Sequence, residues 1–109
     1  MIAAPLMKEA FEDALKDCFD PETGVPVVDM GLVYGVDWSE ETRRVAVTMT
    51  LTTQACPMGD AIQNIVERRL SLVPGVAGVD VQLVFDPPWT PARITPAGRM
   101  ALGIDEGDL

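Results

Sequence analysis

Cys56 sits where an alternating strand pattern meets a helical one, in the run Thr48-Met49-Thr50-Leu51-Thr52-Thr53-Gln54-Ala55-Cys56-Pro57-Met58-Gly59-Asp60. Proline is favoured at the first position of a helix, where its missing N–H would be unpaired anyway. Pro57 in that place makes Cys56 the expected N-cap. Its sulfur would face the free N–H groups of Met58 and Gly59, at the positive end of the helix dipole. A thiolate is stabilised there, and the thiolate is the form that attacks electrophiles and binds soft metals. The plainer reading is a buried residue at a strand–helix junction. A carboxylate from Asp29, Asp60 or Asp86 would oppose the helix by raising the thiol pKa.

Three other segments carry side chains that bear on this thiol. Asp29 interrupts the apolar stretch Val28 to Met30, either to bond backbone N–H groups in a turn or to place a carboxylate beside Cys56. Thr52 and Thr53 precede the cysteine, to hold the loop or to hydrogen-bond a bound group. Asp86-Pro87-Pro88-Trp89 removes two donors from any sheet and forms a stiff wall. Trp89 on that wall either covers a cleft, anchors a partner, or fills a gap under the sheet. Cys18 falls on an apolar helix stripe and reads as a small core residue.

The elements that must position these residues follow from periodicity. Residues 5–18 predict a helix, with Met7, Phe11, Ala14, Leu15 and Cys18 on one side. Asp20-Pro21-Glu22-Thr23-Gly24 is a turn, followed by an extended stretch from Val25 to Met30. Leu32, Tyr34, Val36 and Trp38 alternate as a strand, and Val45, Val47, Met49 and Leu51 as its antiparallel partner. Pro57 to about Val73 predicts a second helix with Ile62, Ile65, Val66 and Leu70 as its apolar stripe, stopped by Pro74-Gly75. Val79, Val81, Leu83 and Phe85 mark a third strand, and Thr95 caps a short helix to about Leu102. The order α-β-β-α-β-α predicts an α+β two-layer sandwich, a small three-stranded mixed sheet with packed helices. The chain reads as one domain over 1–109, with a core of about 7–104 and a frayed tail at 105–109.

Composition narrows the chemistry. Apolar residues make up 48% of the 109 positions, enough for a core without disulfides. Two cysteines argue against a disulfide framework, and the absence of histidine excludes a Cys-His or Ser-His-Asp nucleophile and a His-ligated zinc. No Gly-rich phosphate loop is present. A net charge of −9 argues against nucleic acid and anionic membranes as partners. No apolar run approaches the ~20 residues that cross a bilayer, and the first residues have no signal-peptide pattern, so a cytoplasmic protein is expected.

Asp20-Pro21-Glu22, Val28 to Tyr34, Thr48 to Asp60, Pro74-Gly75-Val76 and Asp86 to Pro91, in that order, resemble the SufT/PaaD-type proteins of iron–sulfur cluster assembly. The resemblance spans roughly residues 7–104 and favours the SufT-like branch, because the cysteine-rich C-terminal region of many PaaD-type members is absent. It implies a fold similar to the NifU C-terminal scaffold domain. That scaffold carries a C-x-x-C pair near this junction; here Gly59 stands where the second cysteine is expected. The family motifs carry over Asp29, Thr53, Cys56 and the Asp86–Trp89 loop.

On this resemblance the expected function is a non-catalytic accessory factor in cluster assembly or transfer, acting through the Cys56 thiol. Thr52, Pro57, Pro87 and Pro88 shape the site along with the carried-over residues. Its partners would be the iron–sulfur assembly machinery and client apoproteins. A lone thiolate cannot complete the usual four-cysteine ligation. A transiently bound iron–sulfur cluster, with Cys56 as ligand, would therefore be shared across a homodimer or with a partner. Two alternatives stay open: an accessory protein of a phenylacetyl-CoA-type ring-oxidation system, and a thiol enzyme or redox sensor.

Overall fold

The computed structural model describes residues 4–52 and 59–103. Helix α1 spans Ala4–Lys16 and buries Met7, Phe11, Ala14 and Leu15, the residues at helical spacing. Asp20 then builds the expected turn. Its carboxylate accepts from the Glu22 N–H at 2.9 Å, its carbonyl accepts from Gly24, and Gly24 closes the turn in the left-handed region at φ 71°.

The next stretch differs from expectation. Val25 to Met30 is not an extended segment. After an isolated bridge between Phe19 and Pro26, the chain coils tightly: the Pro26 carbonyl accepts from both Asp29 and Met30, and Gly31 leaves the turn at φ 74°. The coil buries Val27 and Met30 together. That burial outweighs the β-preference of the valines, since propensity yields to tertiary packing.

Strand β1 (Val33–Ser39) pairs antiparallel with β2 (Arg44–Met49), and β3 (Gly78–Leu83) pairs parallel with β2. The sheet order β1-β2-β3 gives the mixed three-stranded sheet expected from the pattern. A bulge at Tyr34 shifts the β1 register between Val33 and Gly35. Helix α2 (Gly59–Ser71) makes the crossover between the parallel strands and buries Ile62, Val66 and Leu70. Ile65 is only half-buried, at the margin of the core.

Val45, Val47 and Met49 alternate inward along β2 and are completely covered. Arg44 and Ala46 alternate outward and are exposed. Phe11 of α1 meets Trp38 of β1 with ring centroids 5.5 Å apart. Beyond β3 a single 3-10 turn, Pro91–Arg93, which the periodicity did not foreshadow, leads into helix α3 (Pro96–Leu102). Among the described residues no helix is long and apolar enough to cross a membrane.

Candidate functional site

The sheet topology gathers three connections at one end. β2 and β3 run parallel, so both leave the sheet there, and antiparallel β1 enters there. The ladder continues one step past the strands: the Thr50 N–H donates to the Leu32 carbonyl at 2.8 Å and the Val84 N–H to the Met49 carbonyl at 2.9 Å. The Pro26–Leu32 coil, the Leu51–Thr52 exit from β2 and the Val84–Trp89 exit from β3 therefore share one rim. The crevice beyond the carboxyl ends of strands is where open α/β sheets bind ligands.

The segment after β3 is strapped across the coil. The Trp89 indole N–H donates to the Met30 carbonyl at 2.6 Å, and the Tyr34 hydroxyl donates to the Pro87 carbonyl at 2.8 Å. The Arg93 guanidinium lies 4.7 Å above the Tyr34 ring, a cation–π contact. The Thr95 hydroxyl donates to the Asp29 carboxylate at 2.8 Å, while its oxygen accepts from the Gly98 N–H at 3.1 Å as the N-cap of α3. The Thr95 N–H donates to the Asp29 carbonyl at 2.9 Å.

Two glycines permit this approach. A Cβ on Gly31 would overlap the Arg93 backbone, and one on Gly98 would come within 2.7 Å of the Asp29 carbonyl oxygen. The 86–103 segment is thus a strap held to the 29–34 coil by side chains from both.

The sequence candidates fall into three groups. Asp29 and Trp89 both fasten the strap to the coil: the Asp29 carboxylate, on the coil, is bonded to Thr95, and Trp89, on the strap, is half-buried with its polar end on the coil. Asp86, Pro87 and Pro88 lie at the same rim, with Asp86 and Pro87 exposed and the Pro87 carbonyl held by Tyr34. Thr52 is half-buried where the chain leaves β2. Thr53, Cys56 and Pro57 lie outside the described residues. The sequence reading passed over Tyr34 and Arg93 as strap residues. The one local signal for this segment was Thr95-Pro96, the cap-then-proline signature of a helix start.

Cys18 is closed to chemistry. It is fully buried, with its sulfur 3.5 Å from the Ala14 carbonyl, and burial pushes its pKa up from 9.0 to about 11. Arg69 lowers it and Asp17 raises it, both by smaller amounts. Gly59 is buried, and a Cβ there would lie 2.8 Å from Leu51 Cδ1, so any side chain at this position must displace Leu51. Among the described residues no three histidine, cysteine or carboxylate side chains converge as a metal site. Of the chain's two cysteines, Cys18 is spent in the core, and Cys56 lies outside the described residues.

A mixed sheet backed by helices, with its loops collected at one rim, is also the architecture of a solved Bacillus anthracis protein described as a domain of unknown function. The two superpose with a TM-score of 0.85 at 36% identity, over 93% of this chain and 95% of that one. The chain belongs to the iron–sulfur cluster assembly protein family, whose model matches residues 8–82. It is 40% identical to the Fe-S protein maturation auxiliary factor YitW of Bacillus subtilis, across 90% of this chain and 95% of that one. It is 39% identical to the Fe-S protein maturation auxiliary factor SufT of Staphylococcus aureus, across 78% of this chain and 96% of that one.

Proposed function

We propose that this chain is a non-catalytic accessory factor in iron–sulfur cluster assembly or transfer, with Cys56 as the sulfur that meets the cluster or the client. The observation that carries this is the burial of Cys18 in a family member, which leaves Cys56 as the chain's other thiol, in a segment that departs from β2 at Thr52, on the rim with the strap. One thiolate suits cargo better than a resident cofactor, because clusters held permanently take four ligands. Cys56 would hold the cargo together with thiols from a second copy, an assembly protein or a client. Release is then ligand exchange, an incoming thiolate replacing the Cys56 sulfur on iron with no change of oxidation state. The strap keeps the Pro87 and Met30 carbonyls engaged, giving the rim a fixed wall. No acid–base pair is needed, and this reading has the chain act in the cytoplasm.

The experiment is anaerobic reconstitution of the wild type and Cys56→Ser with iron and sulfide, followed by absorbance, iron and sulfide analysis and sedimentation. The expected result is a labile cluster on wild type alone, at no more than about one per two chains. Equal cluster content in Cys56→Ser would refute Cys56 as ligand. An absence of cluster in both would refute carriage and leave Cys56 as a contact thiol for partners.

A further inference from the structure

Strand β1 is an edge of the sheet. Among the described residues no strand pairs with the side of β1 turned away from β2. Such an edge offers a row of free N–H and C=O groups to another strand. Beside it lies a trough of about 260 Å³ between α1 and β1, lined by Leu15, Val28, Val33 and Val36 together with Glu12 and Lys16. The bulge at Tyr34 helps to shape it. Val33 and Val36 stand three apart and would point to opposite faces of a regular strand. The extra residue returns both to the helix face, opposite Met49 and Val47. Each is only half-buried there.

Unpaired charges flank this edge. Glu12 and Lys16 are exposed, one turn apart on α1, and neither makes a hydrogen bond or ion pair with a described side chain. The two ends of β1 carry opposite charge. Beyond Ser39 the turn opens with Glu40 and Glu41, both exposed. At the start of β1 the exposed Arg93 guanidinium lies over the Tyr34 ring, with no carboxylate partner among the described residues.

We infer that β1 pairs antiparallel with β1 of a second copy, about a two-fold axis near Val36, giving one continuous six-stranded sheet. Symmetry and charge select this occupant. Helix α1 runs toward the rim while β1 runs away from it: Phe11 meets Trp38 near the far end of the strand, and Lys16 shares the trough with Val28 and Val33. The two-fold therefore lays α1 antiparallel to its copy, with Glu12 of each across from Lys16 of the other. Val36 is the middle residue of Val33–Ser39, so Ser39 of each copy falls opposite Val33 of the other. That register carries the Glu40–Glu41 turn of one copy to the Arg93 end of the other. Both charge patterns are thus self-complementary in the same isologous arrangement. The net charge of −9 on each chain opposes association at long range. Salt at physiological strength screens charges more than about 8 Å apart, so the pairs at the seam decide. The two rims fall at opposite ends of the seam, and the pairing does not rest on the proposed cargo role.

The test is sedimentation of the full chain, with reductant and without iron or sulfide, up to about 500 μM. The expected result is a dimer that dissociates on dilution. Glu12→Lys and Lys16→Glu should each raise its Kd at least about fivefold, because each reversal turns two attractions into two repulsions. The double variant Glu12→Lys/Lys16→Glu should return to within about twofold of wild type. Both positions are exposed, so far-UV circular dichroism should not change. Hydrogen exchange should show β1 amides gaining protection with concentration while β3 amides do not.

A monomer at every concentration would overturn the inference. So would a dimer that the single reversals leave unchanged, a double variant that stays as weak as the singles, or concentration-dependent protection that misses β1. Cys56→Ser should keep the dimer. Its loss in that variant would mean the copies are joined through the thiol and not through β1.

Discussion

Thr95 is the smallest change that unfastens the strap. Its hydroxyl makes two bonds at once, donating to Asp29 at 2.8 Å and accepting from the Gly98 N–H at 3.1 Å. Thr95→Ala removes both. Loss of an N-cap costs about 1 kcal/mol. Loss of a hydroxyl bond to a half-buried carboxylate costs about 1.5 kcal/mol, because hydrogen bonds to charged groups sit at the upper end of the range. The sum, about 2.5 kcal/mol, is a large share of the stability of a small domain. With a urea m-value of about 1.3 kcal/mol/M, the midpoint should fall by roughly 2 M if the strap unfolds with the core. If the strap opens alone, the loss should appear instead as faster exchange of the Gly98 and Arg99 amides, since Arg99 also donates to the Thr95 carbonyl. Thr95→Ser keeps both bonds and should stay within about 0.5 kcal/mol of wild type. A Thr95→Ala protein with an unchanged midpoint and unchanged amide exchange would refute the strap as an energetic unit.

Cys18 and two glycines give further checks. Burial raises the folded-state pKa of Cys18 to about 11, so the thiol adds no pH dependence below about pH 9, where both states hold the proton. Between about pH 9 and 11 the unfolded chain releases the proton first, and stability should fall by about 2–3 kcal/mol. Urea midpoints across that window should show the decline in wild type and much less of it in Cys18→Ala, after allowing for the cavity; equal slopes would refute the assignment. Gly24 and Gly31 have nearly the same φ, 71° and 74°, but a Cβ at 24 meets nothing within 4 Å and one at 31 overlaps Arg93. Gly24→Ala should cost about 1 kcal/mol from backbone strain alone, and Gly31→Ala clearly more, by denaturant titration; equal costs would mean the strap does not press on the coil.

What the sequence revealed and what it hid divide along one physical line. Features set by neighbours within a few residues were legible: the Asp20 turn, the alternation of β2, the Thr95 cap, the inward stripe of α2, and Cys18 as core. The sheet's mixed topology followed from the order of elements, since a helix between two strands permits a parallel crossover. The coil at Pro26–Gly31 was misread because its valines carry a β-preference that burial overrides. Ile65, on the apolar stripe of α2, packs against the core but stays half-buried, because it sits at the margin of that stripe. The strap was invisible for a further reason. Its bonds join Asp29 to Thr95 across 66 residues and Met30 to Trp89 across 59, and neither end carries a local pattern that requires the other. Asp29 and Trp89, candidate site residues in the sequence, spend their polar atoms on each other's segments instead. The rim is therefore a wall built from structural bonds, and the proposed chemistry falls to Cys56. Mutating the wall should change how firmly the rim is held, whereas mutating Cys56 should change whether sulfur meets iron. Strap variants that lose stability but keep the reconstituted cluster, beside a Cys56→Ser protein that keeps stability and loses the cluster, are the pattern this division of labour requires.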